Sequence, residues 1–80
     1  MNLLDGLRLL RQGEWDRAHT AAQADETPQG SWLHGIVHMA EPDESNSRYW
    51  YRRAGRPFPG LQALQAEMDA FEQAWPARDA

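Results

Sequence analysis

Apolar positions recur along this chain at intervals of three and four residues, and no segment alternates apolar and polar side chains long enough for a strand. The spacing predicts five short helices. The first spans about Asn2 to Gln12, carries Leu3, Leu7 and Leu10 on one side, and stops at Gly13. The second, about Glu14 to Ala24, turns Trp15, Ala18, Ala21 and Ala22 inward. DETPQGS then reads as a loop, with Ser31 as N-cap of a third helix, Trp32 to Glu41, closed by Pro42. Asp43 or Ser45 caps a fourth that runs to about Ala54 and ends at Gly55. RPFPG is expected to be extended, because each proline biases the residue before it away from helix. The last helix, Leu61 to Trp75, aligns Leu61, Leu64, Met68, Phe71 and Trp75 on one stripe, and Pro76 ends it.

Shifting the first half by 29 residues lays Gly6 on Gly35 and Ala18 on Ser47. Each half then reads as two helices joined by a tight turn, with small residues where they face each other. Small residues let antiparallel helices approach closely, so each half should be an αα-hairpin. The expected fold is all-α: one domain over residues 1–80, with hairpins at about 2–24 and 31–55 and a capping helix at about 61–75. That helix would cover the open apolar side of the second hairpin, as the end of a repeat stack does.

Gly35, Tyr51, Ala54 and Pro59 stand at spacings that resemble a tetratricopeptide or Sel1-type repeat. The first half departs from that pattern at Ala22, where such repeats place a large aromatic residue, and the 29-residue shift is shorter than the usual ~34. A narrower resemblance rests on GEWDRAH, WLHGIVH and NSRYWYRRAGRPF. These strings are similar to a family of small, mainly bacterial proteins with the pattern W-x-x-AH, W-x-H-x-x-x-H and EGD-x-x-NA-x-YWY-x-RAG. This chain has EPD for EGD and Ser47 for the alanine. The resemblance implies no particular activity.

Eighty residues lie near the lower limit for a chain that folds on its own core, where oligomers are often recruited. Leu3, Leu4, Leu7, Leu9 and Leu10 span more of the first helix than one hairpin partner covers. Either the last helix folds over the excess or a second copy does, so a homodimer through this helix is an expectation. The absence of cysteine removes disulfides, thiolate metal sites and cysteine nucleophiles together, and suits a cytoplasmic protein. The first residues, MNLLDGLRLLRQGEWD, contain an acid early and no uncharged stretch long enough for a signal peptide or membrane span, so none is expected there.

The candidate chemistry lies in residues 19–56. His34 and His38 sit one helical turn apart, with Glu41 on the same face, in the seam between the third and fourth helices. His19 approaches from the neighbouring hairpin. Histidines at i and i+4 can share a divalent metal ion, with His19 or Glu41 as third ligand. The competing reading packs each imidazole separately against an aromatic ring, hydrogen-bonded to a backbone carbonyl or Asn46. Gly35 stands where a metalloprotease motif needs its glutamate, and Ser31, Ser45 and Ser47 are accounted for by capping, so no catalytic residue is assigned.

Charge adds a second candidate. The net charge is −4, from twelve acidic residues against eight arginines and no lysine, which disfavours a general nucleic-acid binder. Residues 48–56 nevertheless carry +4 without an acid. The helical wheel turns Ser47, Trp50, Tyr51 and Ala54 inward and leaves Arg48, Tyr49, Arg52 and Arg53 outside. Such a face offers charge and a stacking ring to an anion, or pairs within the molecule. Two functional expectations follow. One is a helical interaction module for a protein or peptide partner, or for its own copy. The other is a ligand or metal site built from His19, His34, His38, Asn46, Tyr49, Arg52 and Arg53.

Overall fold

The computed structural model of the chain describes residues 2–75. Five helices follow in order: α1 (Leu3–Arg11), α2 (Trp15–Gln23), α3 (Pro28–Ala40), α4 (Glu44–Ala54) and α5 (Leu64–Ala74). A short 3-10 turn, Leu61–Ala63, leads into α5, and no strand occurs among the described residues. α1 pairs with α2 and α3 with α4, as the two predicted hairpins require, and α2 also packs on α3. The expected end of the last helix at Pro76 lies outside the described residues.

Local chemistry explains most boundaries. Asn2 caps α1 by accepting from the Asp5 amide at 2.9 Å, and Asp5 returns the contact to the Asn2 amide. Asp43, rather than Ser45, caps α4, and Gly55 ends it in the left-handed conformation at φ 74°. The start of α3 corrects the sequence reading by a full turn. Thr27 is the cap, accepting from the Gly30 amide at 3.1 Å, and Pro28 opens the helix. A proline fits there because the first helical amide has no partner within the helix. Ser31, expected as the cap, is instead buried inside the helix. We expect Thr27→Ala to lower stability by about 1 kcal/mol in chemical denaturation.

α3 is the central element, buried on every side from Gly30 to Met39. Its middle meets α4 at Gly35, where the Tyr51 ring packs against the bare backbone, and the buried Ser47 hydroxyl donates to the Gly35 carbonyl at 2.7 Å. Gly6 plays the matching part in the first half, facing Leu33 and Ala21.

α5 touches both α3 and α1. Glu67 accepts from the Tyr51 hydroxyl at 2.6 Å and from the Trp32 indole at 3.1 Å, while the Trp32 and Phe71 rings pack 4.9 Å apart. Burial first, then the Glu67 carboxylate, raises the Tyr51 pKa well above the ordinary phenol value. On its other flank α5 receives Arg11, which bonds Asp69 and Glu72 at 3.0 Å each. Leu3, Leu7 and Leu10 are buried, and Leu4 and Leu9 half-buried, with α2, α3 and α5 all packed on α1. Of the two covers considered for the first helix, α5 supplies one within the chain.

Candidate metal centre

The second helix begins on Trp15, whose indole N–H donates to the Val37 carbonyl at 2.8 Å and ties α2 to the middle of α3. One turn later on α2, the His19 ring stacks on the Trp15 indole at 4.9 Å. From α3, the helical period brings His34 and His38 to the same side, both buried to about 5 % exposure. α4 completes the enclosure, because Trp50 stacks on His34 with ring centroids 3.8 Å apart.

The three imidazoles converge. Their ring centroids form a nearly equilateral triangle, with sides of 4.7 Å (His19–His34), 5.0 Å (His34–His38) and 5.1 Å (His19–His38). One ring nitrogen from each lies within 4.8 Å of the other two, and the Nε2 atoms of His19 and His34 are 3.0 Å apart, sharing a hydrogen bond. Three imidazoles on one tetrahedral ion, with metal–nitrogen bonds of 2.0–2.1 Å, place their nitrogens about 3.3 Å apart and their centroids roughly 5 Å apart. The triangle of centroids has that size.

The protonation states suit the same chemistry. His38 donates its Nδ1 proton to the Glu41 carboxylate at 2.7 Å, which leaves Nε2 as its ligand nitrogen. A carboxylate behind a ligating imidazole fixes the tautomer and strengthens the ligand. Burial, then repulsion from His38, lowers the His19 pKa, against the opposing pull of Glu41 and Asp16. Burial, reinforced by His19 and His38, lowers that of His34 to about 4. Both rings are thus neutral at pH 7, as metal ligation demands.

The groove beside the cluster is lined further by Trp15, Gln23, Asn46 and Trp50. Of the other candidate residues, Asn46 lies at this groove, its amide within 3.4 Å of the capping Asp43. Tyr49, Arg52 and Arg53 do not line it. Tyr49 is exposed and receives the Arg53 guanidinium on its hydroxyl at 3.2 Å, and Arg53 also lies over the Trp50 ring. The Arg52 side chain has no hydrogen-bond or ion-pair partner among the described residues. Two other arginines of the basic stretch are engaged internally: Arg48 pairs with Glu44 and covers Phe58, and Arg56 stacks over Trp32 at 3.5 Å. Sequence reasoning missed the walls. The helical wheel turns both Trp50 and Trp15 inward as core residues and gives no sign that they border a groove.

No helix among the described residues is long and apolar enough to cross a membrane. Comparison with protein-family models, with curated proteins and with solved structures finds no match, so the functional reading rests on the histidine triangle and its groove.

Proposed function

We propose that this protein binds a divalent transition-metal ion of the zinc type through His19, His34 and His38. The observation that carries the reading is the triangle of imidazole centroids, 4.7–5.1 Å on a side, drawn from two helices. Imidazole suits zinc, copper, iron and nickel, and three neutral nitrogens without a thiolate leave one tetrahedral position for an outside ligand. Glu41 acts behind His38 as the group that fixes its tautomer.

The interaction-module reading drew on surplus apolar surface along the first helix. That surface is buried or half-buried against α2, α3 and α5, and among the described residues the exposed large hydrophobic side chain is Tyr49. The metal reading therefore has the better support.

Isothermal titration of the metal-free protein with Zn2+ at pH 7.5 is expected to give one site per chain. His34→Ala should weaken it by at least about a hundredfold, and Glu41→Gln by about ten- to a hundredfold. No heat of binding, with Zn2+ leaving the melting temperature unchanged, would dismiss the reading.

A further inference from the structure

We infer that a second pocket, sharing no residue with the histidine groove, binds a small one-ring monocarboxylate through Arg56. It is a half-open cavity of about 140 Å³ where the first half of α3 meets the ends of α4 and α5. Trp32 comes from α3, Ala54 and Arg56 from the end of α4 and the residues after it, and Phe71, Ala74 and Trp75 from α5.

The local sequence sets Arg56 in place. Gly55 turns the chain out of α4 in the left-handed conformation, and the Gly55 and Arg56 amides close the helix on the Arg52 and Tyr51 carbonyls at 3.0 Å each. Pro57 follows and restricts the backbone of the residue before it. The Arg56 side chain then lies over the Trp32 ring, with its guanidinium carbon 3.5 Å from the centroid. That contact occupies the flat face of the guanidinium and leaves its N–H groups. Among the described residues they meet no hydrogen-bond acceptor and no carboxylate.

Charge and size then select the ligand. No acidic side chain lines the pocket, and Glu67, bonded to the Trp32 indole and the Tyr51 hydroxyl, makes no ion pair with Arg56. The lining thus carries one cation and no anion. A guanidinium receives both oxygens of a carboxylate in parallel, whereas the second charge of a phosphate would find no second cation here. A dry cavity of about 150 Å³ holds benzene, so a single ring fills this one. Trp32 and Phe71 are 4 % and 1 % exposed, so these walls are set before anything binds and little ordering entropy is lost.

The test is a proton–nitrogen NMR titration of the full chain with benzoate at pH 7. The Trp32 and Trp75 indole signals are expected to shift saturably, with a dissociation constant in the millimolar range, as about nine heavy atoms allow. Those of Trp15 and Trp50 should stay in place. Arg56→Gln should weaken binding at least about tenfold, and Arg56→Lys, which keeps the charge without the fork, should fall between it and the parent. Arg56 is exposed, so both variants are expected to keep the fold, which circular dichroism checks. Ala74→Leu, which narrows the pocket and leaves Arg56 intact, should weaken benzoate as well. Acetate and benzamide each lack one half of the ligand and should bind at least about tenfold more weakly than benzoate. Benzamide or phenyl phosphate binding as tightly as benzoate would overturn the assignment of a monocarboxylate, and acetate doing so would overturn the ring. No saturable shift at Trp32, or an Arg56→Gln variant that binds like the parent, would overturn the site itself.

Discussion

Gly35→Ala is expected to cost about 3 kcal/mol of stability, a large part of the roughly 4–12 kcal/mol that a domain of this length possesses. A methyl group built at this position lies 2.5 Å from Tyr51 Cδ1, 2.8 Å from Cε1 and 3.4 Å from the Ser47 carbonyl. The first two distances are far inside van der Waals contact, so something must move. Tyr51 has no room to do so. Its ring is 1 % exposed, its hydroxyl is held by Glu67, and Phe58 meets it edge-on at 5.6 Å. The strain therefore passes to the backbones of α3 and α4, which must separate and stretch the Ser47–Gly35 hydrogen bond. Chemical denaturation followed by circular dichroism measures the loss. A variant within 0.5 kcal/mol of the parent, roughly the scatter of a neutral substitution, would show that the helices do not pack this closely.

Acidification of the metal-free protein should have an effect of similar size. His34 has a folded-state pKa of about 4 against an ordinary value of 6.5, and that of His19 is lowered as well. As pH falls, the unfolded chain takes up these protons first, and the proton uptake favours unfolding. The stability present above pH 6.5 is lost progressively down to about pH 4. His34 alone accounts for about 2 kcal/mol of loss by pH 5 and about 3 kcal/mol in full. For a domain of this size the melting temperature should fall by roughly 10 °C between pH 7 and pH 5, before most carboxylates titrate. His34→Phe keeps a ring against Trp50 and removes the titrating group, so its melting temperature should depend less on pH. An unchanged melting temperature for the parent across this range would mean that the imidazoles are not shielded as described.

The hairpins were legible in the sequence because their determinants are local. Gly35, Ser47 and Tyr51 stand at spacings that only close helix packing explains, and the caps Asn2 and Asp43 lie next to the helices they begin. Pro28 shows where local reading fails. A proline beside Thr27 and Gly30 signals a turn equally well, and only the Thr27 side chain accepting from the Gly30 amide decides for a helix start. The cover on the first helix was beyond local reading, since Arg11 meets Asp69 and Glu72 across 58 and 61 residues. The histidine cluster fell between these cases. The period of α3 pairs His34 with His38, but the place of His19 depends on the Trp15 indole reaching the Val37 carbonyl 22 residues away. Helical wheels also treat a side as inside or outside. Trp50 is half-buried, inside with respect to α3 and a wall with respect to the groove.

Under the proposed metal reading, the division of the three histidines between hairpins would give the site a role in assembly. His19 belongs to the first hairpin, and His34 and His38 to the second. A chain that has formed each hairpin separately holds one ligand in one unit and two in the other, and neither unit offers a tridentate site. High affinity appears only when the two halves dock. An ion held there would be a reversible cross-link whose strength reports that the halves have come together, and a nascent chain could not acquire it until α3 has been made.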